Sequence, residues 1–205
     1  MPIDPNDIDP ASGSRFPLPR REDLDDLGQR MYDQIVDPKA NLIRGLKGPS
    51  GIYLHSPRIS ELLRPVNAYL RNQAGFSGRV REIAILAAAR ACDSQFEWVA
   101  HEKEALKEGV PQAAVDAIKN NSSTASLDPA DAVVIELARG AFMTRRVSSD
   151  LYARAFELFG RQKLVELTVL IGYYVMTAGM LTVVDQQLDA GQAPSLPVPA
   201  PPVRP

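Results

Sequence analysis

The sequence is poor in the residue types that most often carry recognisable chemistry. Its 205 residues include one cysteine, Cys92, two histidines, His55 and His101, and one tryptophan, Trp98. A single cysteine excludes an intrachain disulfide, and one thiol with two imidazoles is too small a set for a closed zinc site. No metal and no cofactor is expected. Charge of one sign is lacking as well: 23 Lys and Arg stand against 25 Asp and Glu, a formal net charge of −2. That balance offers no basic surface to nucleic acid. Strand-like alternation longer than a few residues is absent too, which argues against a sheet. The opening residues, Met1-Pro2-Ile3-Asp4-Pro5, have neither the charged lead nor the apolar stretch of a signal peptide, so a cytoplasmic protein is expected.

What is present is helical punctuation around an ordinary apolar content of 45%. Ser56-Pro57 sets an N-cap before a proline in the first turn, opening a helix that Gly75 closes, and Asp128-Pro129 repeats the device. Ser148 or Ser149 opens another helix that stops at Gly160, and Gly109-Val110-Pro111 ends one helix and starts a short next one. The stretch from Ser77 to Glu108 breaks best at Cys92-Asp93-Ser94, giving helices over 78–91 and 95–108. Ser94-Gln95-Phe96-Glu97 reads as a capping box for the second. The expected fold is all-α. The expected organisation is an N-terminal tail over 1–22, one domain over 23–191 and a proline-rich tail over 192–205, neither tail belonging to the core.

Leu167 to Val184 carries no charged side chain. An uncharged run of that length is formally long enough to span a membrane. Its threonines, glycines and tyrosines, and the Asp185 that follows, favour a helix buried in a bundle or an oligomer. No membrane partner is expected. Shifting the chain by 84 positions lays Glu82 on Glu166, Ile83 on Leu167 and Leu86 on Leu170, a weak internal repeat in which the second copy is apolar where the first is polar.

Candidate chemistry gathers in the first copy. Glu97 and His101 are four apart, so a helix puts them on one face, where a carboxylate can orient an imidazole for proton transfer near neutral pH. Glu82 comes from the preceding helix. Arg79 and Arg81 lie in the first turns of that helix, where the macrodipole disfavours cations, so a nearby anion such as a substrate carboxylate would offset them. Trp98, beside Glu97, is a core residue or the wall of an apolar pocket. The structural alternatives are as concrete: Glu97 as half of its capping box, Glu82 paired with Arg79 or Arg81, and His101 as a satisfied core residue. His101-Glu102 lacks the second histidine of a zinc protease helix, and Gly45 to Gly51 lacks the Lys-Ser/Thr ending of a phosphate loop. His55 reads as part of a helix entry.

Arg81-Glu82-Ile83-Ala84-Ile85-Leu86, then Phe96-Glu97-Trp98-Val99-Ala100-His101-Glu102, then Gly109-Val110 and Ala117-Ile118, together resemble the carboxymuconolactone decarboxylase-like family of the alkylhydroperoxidase D-like superfamily, over roughly Gly48 to Ile118. The resemblance implies a compact helical subunit that forms homo-trimers or homo-hexamers with active sites near subunit contacts. Peroxidase members carry a Cys-x-x-Cys pair, and the matching positions here hold Ser94 and Glu97. Cys92 has no resolving partner for a dithiol cycle. Decarboxylase members act without cofactor on a carboxylated lactone. By resemblance His101 is the proton donor, Glu97 its partner, Glu82 a second carboxyl group, Arg79 or Arg81 a hold for the substrate carboxylate, and Trp98 a substrate contact. The expected function is a decarboxylase or isomerase acting on a small carboxylated lactone or ring-derived acid. The alternatives are a hydroperoxide reductase using Cys92 and a non-catalytic, ligand-binding oligomer.

Overall fold

The computed structural model describes residues 7–40, 42–200 and 203; the expectations for Met1 to Pro5 lie outside the described residues. The helices are α1 Asp26–Val36, α2 Pro49–Leu54, α3 Pro57–Asn72, α4 Gly78–Ala91, α5 Gln95–Lys107, α6 Gln112–Lys119, α7 Pro129–Ala138 and α8 Ser149–Val183. A π-helical turn, Arg139–Thr144, follows α7. No strand occurs among the described residues, and the fold is all-α.

The helix boundaries follow local chemistry. Ser77 Oγ accepts from Val80 N at the start of α4, and Asp128 accepts from Ala130 N at the start of α7. Gly75, Gly109 and Gly160 all have positive φ, a conformation that costs glycine nothing and ends a helix. At Gly160 the backbone leaves helical geometry inside α8, so the expected stop there is a sharp kink between two helical halves. The break between α4 and α5 falls at Asp93, which itself takes a left-handed conformation.

The chain forms two compact units, one running to Asn67 and including Gly179–Gln192, the other made of Ala68–Ala178 and the segment from Ala193. The smaller unit packs Met31, Ile35 and Leu54 against Leu24, Leu27, Tyr32 and Leu46. Within it Ser12 and Ser14 are buried, and Arg15 N donates to Val184 O at 2.8 Å. The larger unit centres on α4, whose residues from Glu82 to Arg90 are all buried. Around it pack Trp98 from α5, Val115 and Ile118 from α6, Val133 to Ile135 from α7, and Leu167, Leu170 and Ile171 from α8.

Three expectations change here. The Ser94 half of the capping box does not form: Ser94 makes no side-chain cap hydrogen bond, and its backbone N donates to Ala89 O at 2.9 Å. Leu196 belongs to the main core, although no part of the proline-rich segment was expected there. Extended backbone leaves its carbonyls open, and Arg90 Nη1 donates to Pro197 O at 2.8 Å while Leu196 N donates to Gln95 Oε1 at 3.1 Å. The uncharged stretch of α8 is not buried all round: Leu167, Leu170, Tyr174 and Ala178 are buried, whereas Val169, Met176 and Val183 are exposed.

Candidate active site

The α4–α5 pair brings Glu82, Glu97 and His101 together. Glu82 sits on the buried face of α4, one turn in from the Ser77 cap, and His101 on the facing side of α5. His101 Nδ1 lies 2.7 Å from Glu82 Oε2, and His101 Nε2 lies 3.6 Å from Glu97 Oε2. All three side chains are almost wholly buried. The shorter contact goes to Glu82, so Glu82 orients the ring and Glu97 faces its other nitrogen. The sequence reading had given the orienting part to Glu97.

Positive charge surrounds the carboxylates. Arg81 Nε donates to Glu82 Oε1 at 3.1 Å, while its Nη2 reaches Glu108 Oε1 at 3.0 Å and its Nη1 reaches Arg71 O at 3.2 Å. Arg71 Nη2 stands 3.9 Å from Glu82 Oε1, and Arg71 Nη1 donates to the Tyr174 hydroxyl at 2.8 Å. The Tyr174 ring meets His101 edge to face, with centroids 5.4 Å apart. Burial alone would push the Glu82 carboxyl up, but the His101 hydrogen bond and charge, with Arg71 and Arg81, outweigh it and hold it below the usual carboxylate range. Burial raises the Tyr174 phenol far above its ordinary value, so it stays neutral. Burial also opposes the Arg71 charge, which Tyr174, Glu82 and Glu97 together sustain.

The other sequence candidates sit elsewhere. Arg79 is engaged by Asp131, with Nε to Oδ1 at 3.0 Å, so the helix-start cation has a structural anion of its own on α7. Trp98 is fully buried in the main core, with Lys119 Nζ 5.9 Å from its ring centroid. Its Nε1 has no hydrogen-bond partner among the described residues. Cys92 is half-buried at the α4–α5 break, where burial and Asp93 both push its thiol up. His55 stacks edge to face on Phe16 and its Nε2 lies 2.9 Å from Pro17 O, as a helix-entry residue would. Arg71 and Tyr174 escaped the sequence reading. Neither is near Glu82 or His101 in the chain, and only the packing of α3 and α8 against α4 and α5 reveals them.

Helices α4 and α5 thus enclose a buried histidine between two carboxylates. Residues 57–140 match the Carboxymuconolactone decarboxylase family. The matched segment holds Glu82, Glu97, His101, Arg71 and Arg81, and Tyr174 joins from outside it. The family resemblance read from the sequence is therefore upheld. The match supports a decarboxylase-like or alkylhydroperoxidase D-like function in general terms. No curated protein and no solved structure matches the chain.

Proposed function

We propose that this protein is a cofactor-free acid–base enzyme, a carboxy-lyase or isomerase acting on a small carboxylated lactone or ring-derived acid in the catabolism of aromatic compounds. It works in the cytoplasm as a homo-oligomer. The observation that carries this reading is His101 held at Nδ1 by Glu82 while Nε2 faces Glu97. An imidazole held at one nitrogen keeps one tautomer and presents the other nitrogen for proton transfer.

Decarboxylation fits this arrangement. The bond to the carboxylate breaks, carbon dioxide leaves, and the electron pair passes into the conjugated carbonyl of the substrate. His101 Nε2 then donates a proton to the resulting dienolate. Glu82 stabilises the imidazolium before that transfer leaves His101 neutral, and Glu97, 3.6 Å away, relays a proton from water back to Nε2 after it. Arg81 and Arg71 supply positive charge toward an anionic substrate, and Arg79, engaged by Asp131, does not.

A hydroperoxide reductase using Cys92 is the competing reading, and the elevated thiol works against it because the thiolate is the nucleophile. Carbon dioxide release from carboxymuconolactone and a panel of carboxylated lactones separates the two. Wild type and Cys92→Ala should release it at similar rates, and His101→Ala should be at least about a hundredfold slower, as loss of general acid–base catalysis implies. Hydroperoxide turnover that disappears in Cys92→Ala, without lactone decarboxylation in wild type, would overturn the proposal.

A further inference from the structure

Two charges near the site have the wrong sign for their own helices. Arg81 stands at the start of α4, where the macrodipole disfavours a cation, and Glu108 is the C-cap of α5, where it disfavours an anion. They compensate one another: Arg81 Nη2 donates to Glu108 Oε1 at 3.0 Å. The pair exists because residue 78 is glycine. A Cβ on Gly78 would overlap the Glu108 carboxylate and meet its Cγ at 3.1 Å. The carboxylate therefore rests against the first residue of α4, at the end of that helix which favours an anion.

Arg81 and Glu82 are neighbours in the chain, and neighbouring residues of a helix do not face each other. Arg81 Nε nevertheless donates to Glu82 Oε1 at 3.1 Å, while Nη1 donates at 3.2 Å to Arg71 O, a carbonyl in the last turn of α3. The side chain folds back on its own helix to do so, and each of its three nitrogens is engaged. Glu108 and the α3 carbonyl hold the far end of the guanidinium in that posture. Arg81 is only 15% exposed and Glu108 is 43% exposed, so the ion pair runs from the buried site to the surface.

We infer that Glu108 is a positioning residue of the His101 site: seated in the space that Gly78 leaves, it holds Arg81 in the orientation that bonds Glu82 and the α3 carbonyl at once. Glu108 touches neither the imidazole nor a substrate and acts through Arg81. The inference rests on the acid–base reading above and extends it to a residue outside the buried trio.

Glu108 acts on Glu82 in two ways of opposite sign. Its own negative charge favours the neutral Glu82 carboxyl, so loss of that charge alone would move the Glu82 titration to lower pH. Its hold on Arg81 favours the ionised carboxyl, so loss of the hold moves the titration to higher pH. Burial opposes the Glu82 charge, and His101, Arg71 and the Arg81 hydrogen bond sustain it. The remaining groups around Glu82, namely Glu97 beyond the imidazole and Tyr174 beside it, are untouched by a change at residue 78 or 108.

The test titrates the full chain, labelled at the glutamate carboxyl carbons, by NMR, with Glu82→Gln identifying the Glu82 signal. In Glu108→Ala the midpoint should move to higher pH. Gly78→Ala, whose methyl group evicts the carboxylate, should move it the same way. Glu108→Gln can still accept from Arg81 and should stay nearer to wild type than Glu108→Ala does. Both positions lie outside the catalytic machinery, and alanine is the better helix former at 78, so the variants should fold. A midpoint that falls or stays in place in Glu108→Ala, or that Gly78→Ala leaves unmoved, would overturn the inference whether or not wild type decarboxylates a lactone. Absence of carbon dioxide release from wild type would instead strike the proposed reaction and not this hold. In an active enzyme Glu108→Ala should lower kcat by about tenfold to a hundredfold, as a misplaced supporting group does. An unchanged kcat there would count equally against Glu108.

Discussion

His101 Nδ1 and Glu82 Oε2 lie 2.7 Å apart across the α4–α5 interface, both nearly sealed from solvent. The contact joins helices whose connection is only three residues long, Cys92-Asp93-Ser94. A buried carboxylate and imidazole stabilise one another only as a pair, and removal of either leaves the other without compensation. The same contact that prepares His101 for chemistry also fixes the angle between its two helices.

Acid should therefore weaken this pair in a defined window. The folded carboxyl of Glu82 lies below its ordinary value of 4.5. A depressed carboxylate contributes stability that is complete above the ordinary pKa and is lost as pH falls through the folded one. Glu82→Gln should be less stable than wild type at neutral pH, and the difference should shrink steadily below about pH 4.5. Tm measured on both proteins from neutral to acid checks it; a constant difference across that range would remove the charged pair from the account.

Glu97 and His101 should behave as one device. His101→Ala and Glu97→Gln each lower turnover by about a hundredfold or more, and the double variant is little worse than the poorer single one. Glu97→Gln keeps the size of this buried side chain and can still accept hydrogen bonds, so the variant should still fold. Full turnover in Glu97→Gln would remove Glu97 from the mechanism.

Tyr174→Phe separates positioning from acid–base chemistry. The variant keeps the ring against His101 and loses the acceptor for Arg71. KM for an anionic substrate should rise severalfold with kcat nearly constant. The pH–rate profile should not move, because burial keeps this phenol neutral throughout. A profile that loses its alkaline limb in the variant would contradict this.

Trp98 tests the difference between a pocket wall and a core residue. Trp98→Ala should cost about 3–5 kcal/mol of stability, as large core truncations do. Trp98→Phe should stay within about 1 kcal/mol of wild type, because it also removes a buried, unpartnered N–H. KM should be unaffected in Trp98→Phe, and denaturant titration with steady-state kinetics gives both quantities.

Much of this architecture was legible in the residues. Glycine and proline have strong local preferences, so the ends of α3, α4, α5 and α7 were readable from Gly75, Ser77, Gly109 and Asp128. The i, i+4 pair of Glu97 and His101 was readable for the same reason, and Glu82 came with the family motif. Arg71 and Tyr174 were not, because their contacts with the site depend on tertiary packing that leaves no local pattern. Ser94 misled: its capping signature is real in sequence, but its side chain makes no cap hydrogen bond, and Glu97 turns to the imidazole. Arg79 misled in a related way, since Asp131, 52 residues on, was invisible as a partner. The exposed face of α8 shares its composition with the buried one, so counting apolar residues could not tell them apart.

The stretch around Leu196 has a consequence for the order in which the molecule is made. Gln95 bonds to Leu196 across 101 residues, and Arg90 to Pro197 across 107. Synthesis runs from the N-terminus, so the helices bearing Glu82, Glu97 and His101 leave the ribosome long before the segment that latches their junction. Until then the place of Leu196 in the core stays open, and Arg90 waits beneath it with a carbonyl partner still to come. A nascent chain stalled before Ala193 should thus hold the helices of the site without their latch, and be cut by proteases at a junction that the finished chain protects.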